Sequence, residues 1–416
     1  MKKLIILFCS LVIFVSSVEV SLCGYIYIKD NHHDFTSIKN DDGLSIYITN
    51  NSVSEISGTI KSLTNVKRVS INMSGCDAYP LSQECIDRGK MRINLPVELF
   101  TLPNLETLSF MGRASYTVND TKGAIHSSIK KIYLNWTSPG DLSFLSRLDN
   151  IDEVTIKYDS INVDSKNDIP EYIYDMKNIR RLSVKSNEIP LKLSNRICEM
   201  RNLEELDFDG TIADFPTCAN GMDKVKTVAI VYCGGKEKIN GEEYYFPKNL
   251  LQFKNIQNLS IAACGKFGMP PYAIGLKKLK NFQLGDCMQD EYAEAQRACP
   301  DVYQSLYSGH GMNIDTNMIN IMTLSEYTNI ETIFINKWNV FDPAKDGRAS
   351  TNNLTLREPA QKDLVKKWNA GQQAFTKSIT DAVKSGKLPH LKKVVIPDLE
   401  VESTILVFPF ENKQSD

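Results

Sequence analysis

Asn202-Leu203-Glu204-Glu205-Leu206-Asp207-Phe208 decides the fold, because the chain keeps returning to it. The same grammar recurs as Asn178-Ile179-Arg180-Arg181-Leu182-Ser183-Val184 and Asn255-Ile256-Gln257-Asn258-Leu259-Ser260-Ile261. Shorter copies start at Asn65-Val66, Asn104-Leu105, Asn150-Ile151 and Asn329-Ile330, and copies without the asparagine at Ile129, Val225, Leu279 and Leu391. In each copy apolar residues stand three and then two apart. The spacing of two puts Leu206 and Phe208 on one face of a short strand and Glu205, Asp207 and Asp209 on the other. One such strand cannot bury its apolar side alone, but stacked copies can, each covering the next. The anchors Ile179, Leu203 and Val225 are 24 and 22 residues apart, and Ile256 and Leu279 are 23 apart. That interval suits a repeat of one strand and a short return path.

The segments before the strands support this unit. Ile169-Pro170 leads into Tyr172, Ile173 and Met176, and Leu95-Pro96 into Leu99, Phe100 and Leu102. Phe246-Pro247 and Met269-Pro270 do the same for Ile256 and Leu279. Proline suits the first turn of a helix, and the apolar spacing of three to four suits a short helix against the core. The chain thereby resembles the leucine-rich repeat family in its form "LPxxLxxLxNLxxLxLxxN", over roughly residues 53–400 and most clearly over 169–287. The resemblance implies an α/β solenoid, curved, with parallel strands on the concave face and short helices or turns on the convex face. Departures exist: Leu279 to Ile330 spans 51 residues and Ile330 to Leu391 spans 61, so insertions or degenerate units are expected.

Residues 1–23 read as a secretory signal peptide: Lys2 and Lys3, an apolar run from Leu4 through Val15, then small residues. Val20-Ser21-Leu22-Cys23 faintly resembles a bacterial lipobox, with Leu22 where a small residue belongs, so a lipid anchor at Cys23 stays open as an alternative. No later apolar run reaches membrane-spanning length. The expected organisation is an N-terminal cap over 24–52 and a solenoid over 53–358 with insertions near 74–92 and 288–320. A C-terminal helix and last repeat follow over 359–416, the amphipathic stretch Gln361–Lys384 ending at Gly386. The formal net charge of -2 gives no basic excess for nucleic acid.

In an exported protein the cysteines invite pairing. Cys76–Cys85 would close a small loop and Cys198–Cys218 would bracket one repeat. Cys233, Cys264 and Cys287 each fall three residues after a strand's second apolar residue, the inward Asn-or-Cys position of the family pattern, and are expected as a buried thiol ladder. No cysteine has a CxxC partner, and no P-loop, GxGxxG or GxSxG is present, so no metal, cofactor or catalytic set is expected. His310, in the long insertion, is the one residue on which an alternative catalytic reading would rest.

The strand residues between the apolar positions form the candidate ligand surface: Tyr133, Lys157, Arg181, Lys185, Glu205, Asp207, Asp209, Asn258, Gln283 and Phe334. The basic unit Arg181/Lys185 lies beside the acidic unit Glu205/Asp207/Asp209, so the two are expected either to neutralise each other or to form a polar recognition stripe. The family resemblance implies protein ligands, with host-interaction or adhesion roles common in exported bacterial members. The expected function is a non-catalytic secreted or surface-exposed protein-binding module. The alternatives are an inhibitor of a secreted hydrolase, or an enzyme with a site in the 285–330 insertion.

Overall fold

The computed structural model describes residues 24–31, 33–36, 38, 42–49, 51–73, 91–112, 114–118, 123–136, 142–158, 169–191, 193–212, 215–218, 222–232, 237–239, 242–244, 248–263, 275–286, 329–335, 373, 376–396 and 404–407. The signal-like segment with Cys23, the cysteines 76, 85, 233, 264, 287 and 299, and His310 lie outside the described residues. So do the 288–320 insertion and nearly all of the one near 74–92.

Eighteen strands are described. They are β1 (Gly24–Ile28), β2 (Gly43–Ile48), β3 (Arg68–Met73), β4 (Arg92–Leu95), β5 (Thr107–Met111) and β6 (Ser115–Val118). Next come β7 (Lys131–Trp136), β8 (Glu153–Tyr158), β9 (Arg181–Leu191), β10 (Glu205–Ile212), β11 (Thr227–Tyr232) and β12 (Glu237–Ile239). The last are β13 (Glu242–Tyr244), β14 (Asn258–Ala263), β15 (Asn281–Asp286), β16 (Thr332–Ile335), β17 (Lys393–Ile396) and β18 (Thr404–Val407). Fourteen form one sheet in the order β1-β2-β3-β5-β7-β8-β9-β10-β11-β14-β15-β16-β17-β18. Neighbours are parallel throughout, except that β18 closes antiparallel on β17. Two minor sheets pair β4 with β6 and β12 with β13. The segment expected as a cap before residue 53 supplies β1 and β2, rungs in register with the rest.

Register places equivalent residues side by side: Leu182, Leu206, Val228, Leu259, Phe282, Ile333 and Val394 run across adjacent strands. All are buried, as are the anchors Ile179, Leu203, Val225, Ile256, Leu279, Ile330 and Leu391. One strand per repeat, all parallel, with stacked apolar columns is the leucine-rich repeat solenoid that the spacing implies.

The return paths are shorter than amphipathic helices. Val97–Phe100 and Glu171–Tyr174 are single α-turns entered through Pro96 and Pro170. Gly58–Ser62, Ser143–Arg147, Asn195–Glu199 and Lys248–Gln252 are 3-10 turns. A repeat of 22–24 residues leaves room for one turn between two strands, and the tighter 3-10 winding suits short connectors. A longer helix survives near the C-terminus, where residues 376–384 are helical and bury Ile379 and Ala382. It ends at Gly386 with φ 74°, where the Gly386 N–H donates to the Val383 carbonyl and the Lys387 N–H to the Ala382 carbonyl. This is a Schellman closure, which favours glycine.

A second turn recurs before several strands. The N–H of Leu203 donates to the carbonyl of Met200, that of Ile179 to Met176 and that of Ile256 to Phe253. The preceding asparagine points at the previous repeat. Asn104, Asn150, Asn178, Asn202, Asn255 and Asn329 each donate from Nδ2 to the carbonyl of Thr64, Ser127, Asp149, Lys177, Asp223 and Lys277 in turn. Every acceptor immediately precedes the equivalent position one repeat earlier. Where the asparagine is missing, other side chains fill in. Ser128 Oγ donates to the Leu102 and Leu105 carbonyls, and the ammonium groups of Lys224 and Lys278 donate to Asn202 Oδ1 and Asn255 Oδ1. Among the described residues, the side-chain ladder therefore lies before the strands.

Cys198 and Cys218 stand at disulfide distance, with Cα atoms 5.3 Å apart and a sequence separation of 20. They tie the 3-10 turn of one repeat to the entry of the next.

Replacing Asn202 with alanine removes the donor to Lys177 and the acceptor for Lys224; a loss of about 1–3 kcal/mol is expected in urea unfolding. Asn202→Asp, which sets a carboxylate against that carbonyl, should cost at least as much. Two variants within about 0.5 kcal/mol of the parent, the usual range for inert surface changes, would remove the ladder's structural role. Opening the Cys198–Cys218 pair with the double serine variant should cost about 3 kcal/mol for a loop of this size. Intact-mass analysis and thermal unfolding, with and without reductant, read both the bond and the loss.

Candidate recognition face

The strand residues between the buried columns point away from the core and form three rows. Parallel sheets are commonly covered on both faces; this one presents mainly polar side chains on its open side. The rows carry three chemically different zones in turn.

The N-terminal zone is aromatic. Tyr25 and Tyr27 of β1 are 71% and 53% exposed, and Met111 of β5 is 38% exposed. Tyr27 stacks on Tyr47 with ring centroids 5.2 Å apart, and Tyr25 meets Tyr27 edge-on at 6.0 Å. The same row continues through Asn72 and Met111 to Asn135. Ser70 Oγ donates to Asn72 Oδ1 at 3.3 Å and lies 3.5 Å from Met111 Sδ. These tyrosines lie in the segment read from sequence as a cap, although the alternation Tyr25-Ile26-Tyr27 is the signal that places both on one face.

The central zone is charged and centred on Glu153. Its carboxylate meets Lys131 Nζ at 3.1 Å and Arg181 Nη2 at 3.0 Å, and accepts from Tyr133 Oη at 3.3 Å. Arg181 also reaches Asp152 at 3.0 Å. Burial, then the charge and hydrogen bond of Glu153, push the Tyr133 phenol above its ordinary value of 10.0. Sequence pairing of the basic unit with the acidic unit after it is thus only partly realised. Arg181 lies in register with both Glu153 and Glu205, and it forms its ion pairs with Asp152 and Glu153, on the side of the preceding rung. Ser183 Oγ donates to Asp207 Oδ2 at 3.0 Å. Lys157 is in strand register with Lys185, and Lys185 with position 209.

The C-terminal zone mixes amides with small residues, Asn258, Asn281 and Gln283 standing among Thr227, Ala229 and Ser260. Asn258 Nδ2 donates to Thr227 Oγ1 at 3.0 Å, and Asn281 Nδ2 to Asn258 Oδ1 at 2.6 Å. Gln283 sits in the middle row next to the strand position of Phe334. Of the residues singled out from sequence, Tyr133, Lys157, Arg181, Lys185, Glu205, Asp207, Asn258 and Gln283 share this face. Asp209 and Phe334 occupy matching strand positions. Among the described residues no group of three His, Cys, Asp or Glu side chains could hold a metal ion, and no helix is long and apolar enough to cross a membrane.

A fourth feature borders the face along its N-terminal rim. The residue after each buried anchor reads, rung by rung, Asp42, Lys67, Glu106, Lys130, Asp152, Arg180, Glu204, Lys226, Gln257, Lys280, Glu331 and Lys392, Asp42 opening the series before β2. The signs alternate except at Gln257. Ion pairs follow: Lys67–Asp42 at 3.6 Å, Arg180–Asp152 at 3.6 Å, Arg180–Glu204 at 3.0 Å, Lys226–Glu204 at 3.5 Å, Lys280–Glu331 at 3.5 Å and Lys392–Glu331 at 2.6 Å. Glu106, Lys130, Asp152 and Arg180 also line an open depression of about 680 Å³. The hydrogen bond from Arg180 holds the Glu204 carboxyl below its ordinary 4.5, and that from Lys392 does the same for Glu331. This alternation is visible in the sequence as the residue after each anchor, once the repeats are phased.

No protein-family model and no curated protein matches the chain. Solved structures do. An internalin from Listeria monocytogenes shares 13% identity over 73% of this chain and 71% of its own, with a TM-score of 0.33. A leucine-rich repeat protein from Leptospira interrogans shares 13% over 76% and 83%, with a TM-score of 0.29. The fold assignment rests on this chain's own strand register.

The rim carboxylates give a signed pH dependence. Their folded-state values are depressed, so their stabilisation is complete above the ordinary 4.5 and is lost as pH falls through the lowered values. Glu204→Gln/Glu331→Gln should unfold at a lower temperature than the parent at pH 7, with the gap closing as pH drops toward 3. A gap that is constant or widens with acid contradicts this account.

Proposed function

We propose that this protein is an exported, non-catalytic recognition module that binds a partner protein across the concave face of its sheet. The observation that carries the reading is the position of the exposed large apolar side chains. Among the described residues they are Tyr25, Tyr27 and Met111, and all three lie on that face. Water-exposed tyrosines beside a polar hub with an arginine and a further tyrosine suit a binding surface, where Tyr and Arg anchors dominate affinity. Tyr133, Lys157, Arg181, Lys185, Glu205, Asp207, Asp209, Asn258, Gln283 and Phe334 extend the surface along the rungs. Export is supported by the basic-then-apolar reading of residues 1–23 and by the Cys198–Cys218 pair. A surface or secreted location and a role in contact with another cell follow from that reading.

Photo-crosslinking capture from the native extracellular medium or cell surface, using the mature chain, tests the proposal. Tyr25→Ala/Tyr27→Ala and Arg181→Ala should each reduce capture of the partner at least about tenfold, the effect expected of an anchor residue, with unfolding midpoints of the tyrosine variant unchanged. A captured protein whose yield is indifferent to both variants and to Asp207→Lys would sink the concave-face reading.

A further inference from the structure

The alternating rim breaks once, and the break coincides with other basic substitutions. At Gln257 the row offers no charge, so Lys226 keeps a carboxylate on one side only, Glu204, and Lys280 likewise keeps only Glu331. In the adjoining asparagine row, lysine replaces asparagine at two of the three rungs concerned, Lys224 and Lys278. Their ammonium groups rest on neutral amide oxygens, Asn202 Oδ1 at 2.7 Å and Asn255 Oδ1 at 2.6 Å. Lys254 and Lys277 precede the asparagine position on two of these rungs, and both are exposed. Residues 222–226, 253–257 and 276–280 thus gather six exposed lysines against Asp223 within them and Glu204 and Glu331 at either end, in a chain whose formal net charge is -2.

Geometry arranges these charges as a strip. The backbone N–H of Gln257 donates to the Lys226 carbonyl and that of Lys280 to the Gln257 carbonyl, each at 2.8 Å, so three consecutive rungs are locked side by side. With rungs about 5 Å apart, Lys226 and Lys280 are roughly 10 Å apart along the sheet edge. Along the rest of the rim neighbouring rungs carry charges of opposite sign. Here the lysines add up, and a local excess of one sign attracts counter-ions or a polyanion.

We infer that this strip binds a linear polyanion bearing fixed sulfate or phosphate groups and no nucleobases, laid along the rim across β11, β14 and β15. Residue chemistry selects that class. The cations are all lysines, compact point charges that can meet sulfate or phosphate oxygens. Among the described residues of these three segments the aromatic residue, Phe253, and the large apolar residues are buried, so the segments themselves offer lysines rather than rings or apolar anchors. The strip lies on the rim beside the amide end of the concave face, on the strands of Asn258 and Gln283, and apart from the aromatic and Glu153 zones.

The mature chain is titrated at about 50–150 mM salt with a fluorescent heparin oligosaccharide as the sulfated probe and inorganic polyphosphate as the phosphate probe. Poly-glutamate and single-stranded DNA are the competing classes. Expected are binding to at least one oxyanion probe that weakens with salt, and a preference over poly-glutamate and DNA. The better of the two probes tells sulfate from phosphate. Gln257→Glu restores the alternation and gives Lys226 and Lys280 a second partner. It should weaken oxyanion binding about tenfold and lower the salt slope by about one, for the single carboxylate added, while leaving the unfolding midpoint equal or higher. Lys254→Gln/Lys278→Gln should weaken it similarly. Tyr25→Ala/Tyr27→Ala should leave it unchanged, which separates this surface from the concave face. The proposal is overturned if neither oxyanion probe binds at 50 mM salt, or if both rim variants bind as the parent does. Poly-glutamate binding as tightly would overturn it in favour of an acidic protein segment, and DNA binding as tightly would overturn it in favour of nucleic acid.

Discussion

One backbone carbonyl per rung carries the solenoid. It belongs to the residue after the buried anchor, and it accepts two successive N–H groups from the next rung: Arg180 takes Glu204 and Glu205, Glu204 takes Lys226 and Thr227, Lys226 takes Gln257 and Asn258. Both lone pairs are used, which fixes the next strand's start and hence its register. With the register fixed, a side chain that faces the core on one rung faces it on all. The apolar columns, the open face and the rim then follow from the same bond.

That constraint also explains why the rim is alternating. The residue that supplies the shared carbonyl must place its own side chain about one strand spacing from its counterparts. Like charges at that separation repel, and opposite charges form exposed pairs that contribute little individually, at most about 1 kcal/mol. Alternation avoids the repulsion along the whole edge. A neutral residue at Gln257 relaxes the pattern locally without breaking the backbone, because the carbonyl does its work whatever side chain it bears. The rim can therefore vary in charge, and acquire a function, at small structural cost.

The asparagine ladder sits one step from this bond and reinforces it. Each amide spans to the preceding repeat's carbonyl, and lysine or serine stands in where asparagine is missing. The long return paths of other repeat folds are replaced by single turns and 3-10 turns capped by residues such as Ser57 and Ser194. Stability is consequently distributed along the stack, and each rung depends on its neighbours.

Periodicity alone settled much of this protein. The spacing of Leu203, Leu206 and Phe208, repeated every 22–24 residues, pointed to stacked strands, because a spacing of two puts apolar residues on one face of a strand that a neighbouring copy can cover. It also identified Tyr133, Arg181 and Asp207 as outward-facing. Three matters needed tertiary structure. Arg181 forms its ion pairs with Asp152 and Glu153, because side-chain direction at the sheet decides between two equidistant neighbours and the sequence does not encode that choice. Tyr25 and Tyr27 join the open face because β1 pairs in parallel with β2, a pairing outside the clear repeats. The asparagines point back to the preceding repeat, Asn202 with the turn at Met200–Leu203 beside it, because only the stacked rung presents a carbonyl within their reach. Local spacing reports which residues must be buried; only packing between rungs decides which of the remaining side chains meet.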